Sequence, residues 1–130
     1  MKSALRIVVL SLGLACGAAA AQAAVTANFQ ANCQWSGNDV NCVYDANRPA
    51  GSGSSCSSGI KDYFWDYGDY NSSGYTTSSF VSHTYVNATY PGYSVSLSVF
   101  CNDGTSTTTT RPICIGIGYY GCININGTWN

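Results

Sequence analysis

Apolar and polar residues alternate along much of this chain, most cleanly over residues 92–101. Tyr93, Val95, Leu97 and Val99 fall on one side of an extended backbone there, and Ser94, Ser96 and Ser98 on the other. Successive side chains of a strand point to opposite faces, so the pattern predicts a half-buried antiparallel strand. Further strands are predicted over 25–33, 40–45, 61–67 and 105–113, with a shorter one near 80–85. Within 61–67, Tyr63, Trp65 and Tyr67 share a face, and the threonines of 105–113 suit an exposed one. A Gly/Ser-rich stretch over 47–59 reads as a loop, and Asn102-Asp103-Gly104 as a turn. Beyond Cys114 the glycines at 116, 118, 121 and 127 suggest an appended loop or hairpin. About seven short antiparallel strands separated by turns predict an all-β sandwich.

The first 23 residues break the pattern. Lys2 and Arg6 precede an apolar run over 7–14, small residues follow, and Ala21-Gln22-Ala23 fits a signal peptidase site. The expectation is a signal peptide over 1–23, a sandwich domain over 24–113 and a C-terminal extension over 114–130. The apolar run is too short for a mature transmembrane helix, so the product is expected to be exported, to the periplasm or the medium. Cys16 raises a lipid anchor as an alternative, but the leucine of Gly13-Leu14-Ala15 stands one place out of register for such a signal.

Composition narrows the partners. After cleavage Arg48, Lys61 and Arg111 face six aspartates, a net charge of −3. With no basic patch, nucleic acid and anionic membranes are poor partners. Six cysteines remain, Cys33, Cys42, Cys56, Cys101, Cys114 and Cys122, an even number that suggests three disulfides in a short exported chain. A zinc site is the alternative, but the chain has no C-x2-C pair and one histidine. The absence of C-x-x-C also argues against thiol exchange.

The candidates for chemistry are few. His83 is the single histidine and no G-x-S-x-G elbow accompanies it. Asp66 and Asp69 flank Gly68, where aspartates commonly bond their own backbone; calcium ligation and glycoside hydrolysis are the competing readings. No cofactor or metal is expected. Three glycosylation-type triplets begin at Asn71, Asn87 and Asn126, a pattern common by chance in so polar a chain.

Three segments stand in a telling order: Tyr63-Phe64-Trp65-Asp66-Tyr67-Gly68-Asp69, His83-Thr84-Tyr85, and Pro91-Gly92-Tyr93 leading into the alternating strand. They resemble the PKD (polycystic kidney disease) domain, an immunoglobulin-like β-sandwich with a W-D-F-G-D-G turn, an H-x-Y step and a G-x-Y-x-V-x-L-x-V strand. Tyr67 replaces the family's phenylalanine, and Tyr70 stands where its turn usually ends in glycine. The resemblance covers about 25–113 and makes Tyr63, Trp65, Asp66, Gly68, Asp69, His83, Tyr85 and Tyr93 structural positions.

An immunoglobulin-like order implies the cysteine pairs. Cys33 and Cys42 sit in a tight hairpin, the 47–59 loop and the 102–104 turn emerge together and bring Cys56 to Cys101, and Cys114 is left for Cys122. The same order sets Trp35, in the first hairpin turn, at one pole with Tyr119 and Tyr120 of the tail. Those three form the candidate binding patch; the plainer alternative is that Trp35 packs beneath the tail. The implied function is a non-catalytic module that binds an extracellular protein or polysaccharide. Two other classes compete, a passive disulfide scaffold and an inhibitor of a secreted enzyme acting through the 47–59 loop.

Overall fold

The computed structural model describes residues 24–116 and 120–130. The expected signal peptide, Cys16 and Tyr119 lie outside them. Nine strands occur among the described residues, and every pairing is antiparallel. They are β1 (Val25–Thr26), β2 (Gln30–Ser36), β3 (Asp39–Asp45), β4 (Ser55–Cys56), β5 (Ile60–Asp66), β6 (Ser72–Thr76), β7 (Phe80–Tyr85), β8 (Gly92–Cys101) and β9 (Ser106–Cys114). One sheet has the order β2-β3-β7, the other β6-β5-β8-β9, and β1 pairs with β4 as a short ribbon.

The inward residues of the two larger sheets form one core. Ala31, Cys33, Val40, Cys42, Tyr44 and Tyr85 come from the first sheet. Tyr63, Trp65, Val95, Leu97, Val99 and Ile113 come from the second. Trp65 is fully buried, with Phe29 edge-on at 5.2 Å and Tyr44 at 5.6 Å between ring centres. Tyr67 closes the aromatic stripe, stacked on Tyr44 at 5.9 Å. Burying rings of this size contributes much of the favourable energy available to a small domain. On the outer side of β8 and β9 the predicted polar face appears as paired hydroxyls. Ser96 meets Thr110, and Ser98 meets Thr108, each at 2.7 Å.

The strands predicted over 80–85 and 92–101 match β7 and β8 in extent. The strand predicted over 25–33 is instead split into β1 and β2. Asn28 interrupts it by binding the neighbouring loop: its amide donates to Ser54 Oγ at 2.9 Å, and its side chain to the Ser52 carbonyl at 2.7 Å. The 47–59 loop is correspondingly less irregular than expected, because β4 forms within it. β6 had no counterpart in the sequence reading, being polar and short, with a bulge in its pairing to β5.

Three disulfides tie this frame, Cys33–Cys42, Cys56–Cys101 and Cys114–Cys122, the pairs implied by the immunoglobulin-like order. Cys33 and Cys42 are direct cross-strand partners with Cα atoms 4.1 Å apart. The residues after Cys122 run along the open edge of β2. Ala31 and Asn130 exchange two backbone hydrogen bonds of 2.9 Å, and the Gly127 amide donates to the Cys33 carbonyl at 2.7 Å. An edge strand left bare offers unpaired backbone groups to other chains, and here the tail occupies them.

Candidate functional site

The aspartate turn after β5 has the chemistry of a site and the geometry of a joint. Asp66 Oδ1 accepts the Gly68 amide at 2.9 Å, and Asp69 Oδ1 accepts the Asn71 amide at 3.2 Å. Gly68 has φ +76°, and a Cβ there would run into the Ser94 backbone, so glycine is required both for its dihedral and for its fit. The remaining Asp69 oxygen, Oδ2, lies 2.7 Å from His83 Nε2 on β7. The imidazole stacks flat on Tyr67, with ring centres 4.0 Å apart and planes within 2°, and meets Tyr85 edge-on at 4.7 Å. His83 therefore links the turn of one sheet to a strand of the other.

Burial works against the charge on Asp69. The hydrogen bonds from His83 and Asn71 and the charge of His83 outweigh it, holding the carboxyl below its ordinary range. A His–Asp pair becomes a catalytic relay when a nucleophile completes it. Among the described residues Asp69 is the hydrogen-bond partner of His83, and every cysteine is disulfide-bonded. Among the same residues no group of three or more His, Cys, Asp or Glu side chains is arranged to hold a metal ion.

Behind the turn lies a buried phenol chain. The Tyr44 and Tyr85 hydroxyls are 2.8 Å apart, and Tyr85 donates to the Tyr67 carbonyl at 3.0 Å. Desolvation raises the pKa of both phenols, so both stay protonated as donors. Tyr93 stacks on Tyr85 at 4.2 Å. Tyr63, Trp65, Tyr67 and Tyr85 are all buried.

Trp35 differs from these. Alternation along β2 puts it on the same side as Ala31 and Cys33, yet it is 47% exposed. It borders a recess of about 330 Å³ with Cys114, Gly116 and the tail residues Asn124, Ile125 and Asn126. The end of β9 and the tail thus lie beside the β2–β3 turn. Tyr120 is fully exposed and does not border that recess.

Two aromatic groups were not anticipated from sequence. On the outer face of the four-stranded sheet, Tyr75 contacts Phe64 at 5.4 Å and Phe100 at 5.3 Å. On the outer face of the three-stranded sheet, Trp129 lies 6.3 Å from Phe80 and beneath the Arg48 guanidinium at 4.3 Å. Arg48 is also paired to Asp45 at 3.3 Å. The outward positions of β7 and β3 are readable from alternation, but the reach of Trp129 across the sheet depends on how the tail docks.

Among the described residues no helix is long and apolar enough to cross a membrane. No model of a known protein family matches the chain, and no curated protein matches it. Among solved structures it is similar to the PKD1 domain of the Vibrio cholerae metalloprotease PrtV, at 24% identity and a TM-score of 0.49, over 72% of this chain and 99% of that one. It is also similar to the PKD1 domain of Vibrio anguillarum Epp, at 23% identity and a TM-score of 0.47, over 73% of this chain and 96% of that one. Both are domains of the kind that the Tyr63 to Val99 motifs resemble.

Proposed function

We propose that this chain is an exported, non-catalytic PKD-like module that recognises an extracellular protein or polysaccharide through the pole around Trp35. In this reading residues 1–23 are a cleaved signal peptide, 24–113 the recognition domain, and 114–130 an extension that shapes its binding pole. The observation that carries the reading is the 47% exposure of Trp35, a core-facing position of β2 left open beside a recess bordered by the tail. A rigid indole offers a large contact area at little entropic cost, as recognition surfaces require. Further support comes from Asp66, Asp69 and His83, which each hydrogen-bond within the fold.

The test is a pull-down of the exported protein on insoluble polysaccharides and on exported proteins of the same organism, with Trp35→Ala and Tyr120→Ala alongside. Saturable capture of an exported protein that falls at least tenfold in Trp35→Ala is expected. Absence of saturable binding to both classes overturns recognition and favours the passive scaffold. Binding that survives in Trp35→Ala places the site elsewhere on the molecule.

A further inference from the structure

The register of β2, β3 and β7 lays the outward side chains in rows across the three-stranded sheet. Gln34, Asn41 and Thr84 make one row, and Asn32, Val43 and Ser82 the next. These six residues border a trough of about 420 Å³, closed along the tail side by Gly127. That volume falls within the roughly 300–1,000 Å³ of small-ligand sites. The third row is Gln30, Asp45 and Phe80, and Trp129 meets Phe80 there, beyond the residues that border the trough.

The hydrogen-bonding groups of the trough are only partly engaged. Asn32 Nδ2 donates to the Gly127 carbonyl at 3.0 Å, and Thr84 Oγ1 donates to Asn41 Oδ1 at 2.8 Å. These bonds engage one polar atom of each amide, and among the described residues Asn32 Oδ1 and Asn41 Nδ2 make no hydrogen bond. Among the described residues the Gln34 amide and the Ser82 hydroxyl make no hydrogen bond.

We infer that this trough binds a neutral saccharide, with pyranose hydroxyls on Asn32, Gln34, Asn41 and Ser82 and a ring face over Val43. Charge and hydrogen-bond chemistry select this ligand class. No Asp, Glu, Lys or Arg borders the trough, and Arg48, over Trp129 beyond its end, is paired to Asp45, so an ionic ligand finds no free counter-charge. Amides and hydroxyls both donate and accept, as sugar hydroxyls do, and each pairing satisfies groups that otherwise hold water. A protein partner would instead favour a central apolar anchor, which the single Val43 floor does not provide. The inference rests on the reading of the chain as a recognition module, but places the sugar on a different surface from Trp35.

The experiment titrates the full chain, produced through an export pathway with its disulfides formed, with cellohexaose, chitohexaose and mannohexaose by calorimetry. Hexagalacturonate serves as the charged control. Binding of at least one neutral hexasaccharide is expected, weakened at least tenfold in Asn41→Ala/Ser82→Ala and unchanged within twofold in Trp35→Ala. Both substituted side chains point outward, and circular dichroism of the variant confirms its fold. Should that variant lose its fold, Gln34→Ala, at the open edge, provides the same reading. No binding of any neutral hexasaccharide overturns the trough, while protein capture lost in Trp35→Ala still supports the polar recognition site. Binding lost in Trp35→Ala and kept in the trough variants, or equal binding of hexagalacturonate, also overturns it.

Discussion

At the scale of single residues, the groups with the most evident chemistry hold the fold. Asp69 is kept below its ordinary carboxyl range by partners it has only in the folded chain. A depressed folded value means its contribution is present above the unfolded value, about 3.9, and is lost as pH falls through the lower folded value. Urea midpoints measured from pH 7 down to about 2 should therefore fall in the acid limb, and Asp69→Asn should flatten part of that fall while lowering the neutral midpoint. Some acid slope remains in the variant, because hydrogen bonds from Thr105 lower Asp103 as well. An unchanged acid limb in Asp69→Asn would show that the His83 contact contributes nothing to folding. The phenol chain makes a second, asymmetric prediction. Tyr85 donates to the Tyr67 carbonyl, so the bond between the two hydroxyls is donated by Tyr44. Tyr85→Phe orphans both the Tyr44 hydroxyl and that carbonyl and should cost about 2–4 kcal/mol, whereas Tyr44→Phe deletes one donor and should cost about 1. Denaturant unfolding of the two variants checks the order, and equal losses would count against the assigned donor direction.

At the scale of elements, the strands with clean alternation were readable to their ends, and those shaped by neighbours were not. β8 is legible because its buried residues and serines strictly alternate, and β7 because His83 and Tyr85 share its inward face. β6 was missed because Ser72, Ser73 and Gly74 carry no apolar signal; it exists by pairing with β5. The break at Asn28 is set by contacts to Ser52 and Ser54, far along the chain. Trp35 was nameable in advance only with two readings, an open patch or a contact beneath the tail, and the aspartate turn as a position of the family pattern. The trough was not, because Asn41 and Ser82 look like any outward polar residue until β2, β3 and β7 align them. The tail is the clearest case of an element made by its partners. Arg111 on β9 donates from Nη1 to the carbonyls of Phe29 and Asn130, both at 3.0 Å, and so clamps the chain before β2 and the end of the tail to one side chain. Hydrogen bonds from a charged donor are each worth about 1.5–3 kcal/mol, and burial here is partial. Arg111→Ala should lower stability by about 2 kcal/mol and speed amide exchange selectively at Ala31 and Asn130. Exchange that rises equally across β5 and β8 would mean that Arg111 supports the core and not the tail.

At the scale of the whole molecule, a core made by two small sheets leaves little margin, and the three disulfides supply it by restricting the unfolded chain. Small domains bury a limited fraction of their surface, and net stabilities of 5–15 kcal/mol are typical of folded domains. Cys56–Cys101 closes 45 residues, joining β4 to the end of β8, whereas Cys33–Cys42 and Cys114–Cys122 close 9 and 8. In the chain-entropy model the long loop is worth about 4 kcal/mol and each short one about 2.5. The three together approach about 9 kcal/mol, comparable with the whole net stability, so the reduced chain should be largely unfolded at 37 °C. Removing the pairs one at a time as double alanine variants should then rank Cys56–Cys101 as the most costly. Cys33–Cys42 holds residues already opposed in the β2–β3 ladder, so its removal should leave the folded geometry in place and act mainly on the unfolded state. The informative comparison is the tail bridge. If backbone pairing to β2 and the Arg111 clamp hold the tail, losing Cys114–Cys122 should cost no more than about 2.5 kcal/mol and leave the Ala31 and Asn130 amides protected. If that variant proves the least stable of the three, or if Ala31 exchanges freely in it, the tail is held by its covalent link, and the surfaces around Trp35 and Trp129 depend on that bridge.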